Sequence, residues 1–572
     1  MHRYCLTYLI HLNFCLANYM KNRKIYYLGA GLLIFGAVAA TEPDEKYFEI
    51  AKNLEIFGSL FKEVNTYYVD DVSPQDLMDN GINSMLNSLD PYTNYIPEDQ
   101  IEDYRIMTTG QYGGIGLEVG IRVDPVTKEE KIIVMMPQDG FAAQKAGVQI
   151  GDQIIKIDGT DIRKRDDTGQ LLKGQAGSAI TLTIKRVGVD KPFDVAIKRE
   201  KITLLNVPYF GLVNPEIGLI QLGDFTHNAS KEVHEALIKL KEQGAKKIIL
   251  DLRSNPGGLL SEAVNVSNIF VAKGNEIVST RGKVKEWNKK YQALNPADDI
   301  EMPLVVLTNS TSASAAEIVA GVIQDYDRGV LVGQNSYGKG LVQATRSLSY
   351  NSKLKVTVAK YYIPSGRCIQ AIDYSTRNPD GSVGKVPDSL RREFKTANGR
   401  KVFDGGGIKP DVEVAKMNLA PITKSLIGKG LVFDFANEYR QKRPNIASAT
   451  KFELSDAEYQ EFIKWLANKD YDYTTKVEST IEELEKTAKE EKYFDDIKTQ
   501  LASLKDRLYH NKESDLQKFR EEIKEALEKE IITRYYLAKG AMEATFDDDA
   551  DIQAAITVLQ DGAKYKKMLG KQ

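Results

Sequence analysis

Between residues 199 and 420, strand-like apolar runs alternate with amphipathic helical ones, and this alternation limits the fold more than any other feature of the chain. Ile217–Leu222, Lys247–Leu252, Leu304–Thr308 and Val330–Val332 read as strands, with Ala229–Gln243, Leu260–Phe270 and Ala315–Gln324 as the helices between them. Strand-like runs at Leu354–Tyr362 and Asp411–Val414 close the segment. Such alternation buries a sheet beneath helices, so a layered α/β core is expected. At 572 residues the chain is too long for one compact core, and three or more folded units are expected.

The flanking segments differ in character. In residues 41–103 Phe48, Leu54, Phe57, Leu60, Phe61 and Val64 recur at helical spacing. Pro74 then opens a second helical run through Leu77, Ile82, Met85 and Leu86, and Leu89-Asp90-Pro91-Tyr92-Thr93 is a turn signal. Residues 104–198 carry clustered glycines (Gly110, Gly113, Gly114, Gly116, Gly120). Strand-like runs follow at Lys131–Met136, Gln153–Ile157 and Ile180–Lys185, which make a small β-rich unit. Residues 421–572 are helical and highly charged. Ile497, Leu501, Leu504 and Leu508 form one apolar stripe, and Leu516, Phe519, Ile523 and Leu527 another, as in a packed helical hairpin. No catalytic pattern occurs there; packing, dimerisation and a partner surface are all compatible with it.

Residues 1–40 have the layout of a secretory signal. Lys21, Arg23 and Lys24 precede the apolar run Ile25–Ala40, which ends in Ala37-Val38-Ala39-Ala40. The run is short for a membrane span, which needs about 20 residues; cleavage and retention as an anchor both stay open. If Met20 is the start, Cys5 and Cys15 fall outside the protein and Cys368 stands alone, which leaves no internal disulfide. A net charge of -3 without a basic face argues against a nucleic-acid partner. The histidines (His2, His11, His227, His234, His510) and cysteines show no zinc spacing, and neither a metal nor another cofactor is expected.

Chemistry concentrates in Leu304–Glu317 and Val332–Gln343. Ser314 stands three residues before Glu317 at the head of a helical run, and on spacing alone a capping box accounts for it. The same position would project the hydroxyl from a helix tip beside free N–H groups, an arrangement suited to acyl transfer. A serine needs a base, and neither His227 nor His234 is framed by a triad element. Lys339, flanked by Gly338 and Gly340 with Tyr337, Leu341 and Val342 nearby, would serve if burial lowered its pKa. A solvated loop lysine fits the same composition.

Ser312-Ala-Ser-Ala-Ala-Glu317, Gln324-Asp325 and Gly338-Lys-Gly-Leu-Val-Gln343 resemble the signature of the carboxyl-terminal processing peptidases, or tail-specific proteases. The resemblance implies a nucleophile at Ser314, a lysine base 25 positions later at Lys339, and Gln343 orienting the lysine. Ala316 departs from the family string, which usually carries a further Ser, and leaves nucleophile and base intact. Lys247–Gly258 is similar to a family segment whose glycine loop helps form the oxyanion hole. This assigns Gly258, with Gly257 as the alternative, together with the Ala315 N–H. Gly407-Ile-Lys-Pro-Asp411 matches another family segment without a catalytic role. The implied core is a crotonase-like layered α/β fold.

Tyr112-Gly-Gly-Ile-Gly-Leu-Glu-Val119 and Ala142–Gly159 resemble a PDZ domain. Gly113, Gly114, Ile115, Gly116 and Leu117 would then meet a substrate's terminal carboxylate through backbone N–H groups, with the next strand pairing to the peptide. The resemblance spans roughly residues 45–415. The expected organisation is thus 1–40 signal or anchor, 41–103 N-terminal helices, 104–198 PDZ domain, 199–420 peptidase core and 421–572 helical region. The expected activity is serine endopeptidase action on unfolded or C-terminally exposed proteins through an acyl-enzyme. An exported, periplasmic location follows, with membrane association through the N-terminus and homo-oligomer contacts through the helical segments. A trypsin-like protease would need a His-Asp-Ser order and a Gly-x-Ser-Gly loop, which are missing. A crotonase-type acyl-thioester enzyme leaves a PDZ domain and a Ser–Lys pair without a purpose. An inactive PDZ peptide-binding protein is disfavoured because Ser314, Lys339 and Gln343 occur together.

Overall fold

The computed structural model describes residues 45–571 apart from 124–127, 163–164, 379–380 and 509–511. Residues 1–40, expected to be a signal or anchor, lie outside the described residues, as do His2, His11 and His510. The chain divides into two compact units, the first ending at Ser88 and the second running from Leu89 to the C-terminus. The first contains helices Glu45–Tyr67 and Pro74–Asn87, the latter capped by Ser73 with Pro74 at its first position. Phe48, Leu54, Phe57 and Leu60, the apolar positions of the first helix, are exposed. No described helix is long and apolar enough to cross a membrane.

The α/β core of the second unit is a six-stranded sheet. Its order is Tyr209–Asn214, Ile217–Gln221, Lys247–Asp251, Leu304–Thr308, Val330–Gly333 and Val412–Glu413. The first pair is antiparallel and every later pair parallel. The strands are apolar on both faces because both faces are covered, as a parallel sheet requires. Helices Ala229–Glu242, Leu260–Phe270 and Ala315–Asp325 pack on one face. On the other, Ile552, Ala555, Val558, Leu559 and Tyr565 of the last two helices lie against Leu219, Ile249, Val305 and Val332. The end of the chain therefore closes the core although it lies far from it in sequence. A second, antiparallel sheet joins Asn94–Ile96, Lys353–Tyr362, Glu276–Gly282 and Lys289–Gln292, with Leu341–Ser347 also paired to Lys353–Tyr362.

The β-rich unit holds a five-strand path, Leu117–Val123, Glu130–Pro137, Gln153–Ile157, Ala179–Lys185 and Phe193–Lys198. Its core is Ile115, Ile132, Val134, Ile154, Ile180, Leu182 and Ile184. Helix Ile101–Thr109 runs across the break expected at residue 103 and ends at Gly110, whose φ of 66° stops it. Arg122 pairs with Asp434, and Gly151 meets the Asn437 side chain, so this unit rests on the C-terminal helices.

The two apolar stripes of the tail behave differently. Leu516, Ile523 and Leu527 are buried with Phe435, Tyr459 and Phe462, whereas in the first stripe Leu501 is buried and Leu504 exposed. The tail is thus a cluster of several helices, and the second stripe packs on residues 422–466.

Candidate active site

Strand Leu304–Thr308 is wholly buried and leads through a short loop into helix Ala315–Asp325. Ser314, at the junction, has φ 56° and ψ -113°, a backbone conformation that non-glycine residues seldom take. Neighbouring bonds hold it there. Ser312 Oγ donates to the Leu252 carbonyl (2.8 Å), Ala313 N–H to the Asn255 carbonyl (2.9 Å), and Tyr361 Oη to the Ser314 carbonyl (3.3 Å).

Glu317 is fully buried, and its carboxylate joins two loops. Oε2 accepts the N–H of Ser314 and the N–H of Lys339, each at 2.8 Å. Oε1 accepts the N–H of Gly338 (2.7 Å) and the hydroxyl of Ser336 (2.5 Å). Burial pushes its pKa up, and these donors pull it back. Since every partner donates, we treat Glu317 as the carboxylate. The capping box legible in the sequence is therefore one part of a larger assembly. Gly338 has φ 88°, and a Cβ there would sit 2.4 Å from Ala371 Cβ, so the loop carrying Lys339 closes tightly only with glycine.

The Lys339 amine lies 4.4 Å from the centre of the Tyr92 ring. Burial brings its pKa down to about 8; repulsion from Lys355 adds to this, and Glu317 and Asp90 oppose it. Among the described residues Lys339 Nζ forms no hydrogen bond or ion pair, with Ser314 Oγ or otherwise. Gln343 Nε2 donates to Thr357 Oγ1 (3.2 Å) rather than to the lysine. His227 is exposed, and His234 pairs with Asp298 at 2.6 Å. Among the described residues no group of His, Cys, Asp and Glu could hold a metal ion.

The two candidate oxyanion glycines are unlike each other. Gly257 donates its N–H to Asn255 Oδ1 (2.8 Å). Gly258 N–H and Ala315 N–H have no acceptor among the described residues, which leaves both free for a ligand oxygen. Gly257 serves through its missing side chain. A Cβ there would lie 2.8 Å from Ser314 Cβ, 2.8 Å from the Ala313 carbonyl and 2.9 Å from Ala315 N, at φ 98°. Gly257→Ala is therefore expected to displace Ser314 and lower kcat by roughly 100-fold. Steady-state kinetics beside a thermal melt check this; a variant as active as the parent contradicts it.

In the β-rich unit the glycine loop divides. Gly113 and Gly114 pair as a strand with Lys201 and Glu200, and a Cβ on Gly113 would meet the Gly174 carbonyl at 2.0 Å. Ile115 and Gly116 follow outside any strand, and their N–H groups have no acceptor among the described residues. Leu117 begins Leu117–Val123, which lies at the end of the sheet path and offers an open edge to an extended peptide.

Residues 216–383 match peptidase family S41, residues 133–186 a PDZ domain, and residues 422–559 the C-terminal helical domain of probable PDZ-proteases. A carboxy-terminal-processing protease of Bartonella bacilliformis is 41% identical over 354 residues, covering 60% of this chain and 78% of that one. A probable CtpA-like serine protease of Staphylococcus epidermidis is 33% identical over 392 residues, covering 67% and 75%. Among solved structures, the photosystem II D1 C-terminal processing protease is 26% identical, covering 63% of this chain and 92% of that one, with a TM-score of 0.33. This chain belongs to the carboxy-terminal-processing proteases of peptidase family S41, a serine-type peptidase with a PDZ domain and a C-terminal helical domain.

Proposed function

We propose that the protein is an exported endopeptidase in which Ser314 is the nucleophile and Lys339 its general base, and in which the PDZ domain takes hold of the substrate's C-terminus. One observation carries this reading: the backbone amides of Ser314 and Lys339 are held on the same oxygen of Glu317. A half-buried lysine with a pKa near 8 is a second support. At pH 7.5 an amine of pKa 8 is roughly one quarter neutral, against about 0.1% for an ordinary lysine.

The amine leaves the Tyr92 ring and takes the Ser314 Oγ proton as the oxygen attacks the scissile carbonyl. The oxyanion that forms is stabilised by Gly258 N–H and Ala315 N–H. Collapse breaks the C–N bond, and the Lys339 ammonium returns its proton to the leaving amine. A water deprotonated by Lys339 then attacks the acyl-enzyme, releases the acid and regenerates Ser314. Gln343 acts from the neighbouring strand by orienting the lysine once the amine has swung inward. The terminal carboxylate is received by Ile115 N–H and Gly116 N–H while the peptide pairs with Leu117–Val123. The working domain limits are 41–103, 104–198, 199–420 and 421–572, with residues 1–40 as the export segment. The exposed apolar residues Phe48, Leu54, Phe57 and Leu60 suit contact with a second copy.

The test is cleavage of unfolded proteins with varied C-termini by wild type and by Ser314→Ala. Loss of cleavage with retained peptide binding is expected in the variant; cleavage at the parental rate refutes the assignment. Amidating the substrate's C-terminus is expected to raise KM about tenfold or more, since the anionic acceptor is lost. Equal turnover of amidated and free-acid peptides counts against carboxylate capture.

A further inference from the structure

The turn Leu89-Asp90-Pro91-Tyr92-Thr93 enters the mechanism above only as the place the amine leaves, yet it is locked in place beside the base. Asp90 is buried, and its Oδ1 accepts the N–H groups of Tyr92 and Thr93, both at 2.8 Å. Its Oδ2 accepts the Thr93 hydroxyl (3.2 Å). Thr93, also buried, accepts the Thr357 N–H (3.2 Å) and meets the Thr357 hydroxyl at 3.4 Å; Gln343 donates to that same hydroxyl. Asn94–Ile96 then continues as a strand along Lys353–Lys355. The turn is thereby fixed to the sheet that carries Gln343.

The residue it delivers is Tyr92. The ring is gripped at its far end, where its hydroxyl donates to Tyr337 Oη (3.3 Å) and accepts from Tyr374 Oη (3.4 Å). Tyr374 also stands edge-on to it, 5.9 Å away at 89°. The face of this fixed ring lies against the Lys339 amine, which has no hydrogen-bond or ion-pair partner among the described residues.

We propose that Tyr92 is a positioning residue for the base, its ring excluding water from the Lys339 amine and parking it beside the nucleophile's loop. The proposal rests on the Ser314–Lys339 reading. The ring has two opposed effects on protonation. As an apolar cover it disfavours the ammonium, and through its π face it attracts the ammonium. The charged and titratable groups around the amine are Lys355 from strand Lys353–Tyr362, Glu317 from helix Ala315–Asp325, Asp90 and Tyr92 from the turn, Tyr337 from the lysine's own loop and Tyr374 from strand Ile372–Arg377.

The test is the pH profile of kcat/KM for peptide cleavage by the full chain carrying Tyr92→Phe, Tyr92→Leu or Tyr92→Ala, with Lys339→Ala in parallel. Tyr92→Phe keeps the ring and is expected to stay within about threefold of the parent, with the same midpoint of the rising limb. Tyr92→Ala admits water. Its midpoint is expected to move to higher pH by about one unit, which lowers kcat/KM at pH 7 about tenfold with recovery at alkaline pH and little change in KM. Tyr92→Leu keeps the cover and loses the π face, so its midpoint moves to lower pH; it also tests the proposal if the Ala variant does not fold. A midpoint that stays put in Tyr92→Leu, or a Tyr92→Ala loss that is equal at every pH, overturns the proposal. If Lys339→Ala cleaves at the parental rate, the Ser–Lys reading itself fails. If Lys339→Ala is dead while the Tyr92 variants keep the parental midpoint, the positioning role alone fails.

Discussion

Lys339→Ala is expected to lower kcat/KM for peptide cleavage by about 10³–10⁴-fold, roughly 4–5.5 kcal/mol of transition-state stabilisation. Ser314→Ala should be at least as damaging, and the double variant little worse than either, because the proposed nucleophile and base would act as one unit. The sign of the pH dependence follows from the base. In the proposed mechanism the active form is the neutral amine, so with a pKa of about 8 the rate is expected to rise about tenfold per pH unit below that value and level off above it. Stability changes in the same direction as activity but over a higher pH range. The folded-state pKa lies below the ordinary lysine value, so the charged amine opposes folding; the penalty is full below pH 8 and fades as pH rises towards the unfolded value. Lys339→Met should therefore melt at or above the parental temperature at pH 7 while losing cleavage. A variant that loses both fold and activity would show that Lys339 serves structure instead.

The strand and helix pattern of the core was legible because buried strands and amphipathic helices are local features. Lys247–Leu252, Leu260–Phe270 and Leu304–Thr308 coincide with observed elements to within a residue. What stayed hidden depends on partners distant in sequence. Glu317 has a local signature as a cap, but its bonds to Ser336, Gly338 and Lys339 come from a loop about twenty residues on and have no periodicity. Asp90-Pro91-Tyr92-Thr93 reads as a turn, and nothing local says that its tyrosine meets a lysine 247 positions away, whereas the fold joins them through Thr93 and Thr357. Gly257 and Gly258 cannot be told apart by spacing. They differ because Asn255 occupies one N–H and leaves the other free. The charged tail shows no catalytic pattern for the same reason, although two of its carboxylates reach the active-site loops.

Those carboxylates are Asp549 and Asp551, and removing both is expected to lower kcat by roughly 10–100-fold with little change in KM. Arg253, which opens the loop ending at Gly258, donates to Asp251 (2.7 Å), to both oxygens of Asp549 (2.7 and 2.9 Å) and to Asp551 (3.1 Å). Asp551 also accepts from Gln334 (3.3 Å), which opens the loop leading to Lys339. Asp549 caps helix Ala550–Gln560, so both contacts are anchored to the layer beneath the sheet. The loop ending at Gly258 and the loop leading to Lys339 thus share one acidic support. Arg253 and its partners are largely buried, with side-chain exposures of 16%, 2%, 21% and 12% for Arg253, Asp251, Asp549 and Asp551. Asp549→Ala with Asp551→Ala would leave the arginine under-paired, at a cost of about 3–5 kcal/mol in stability. A loss of activity would then follow from instability alone, and adding Arg253→Met together with Asp251→Asn separates the two effects. Deleting the whole cluster removes the uncompensated charge and should recover most of the melting temperature. If the cluster positions the loops, kcat stays low in this stable quadruple variant. If kcat returns with the melting temperature, the carboxylates only stabilise the fold, and the tail has no part in setting the geometry around Ser314.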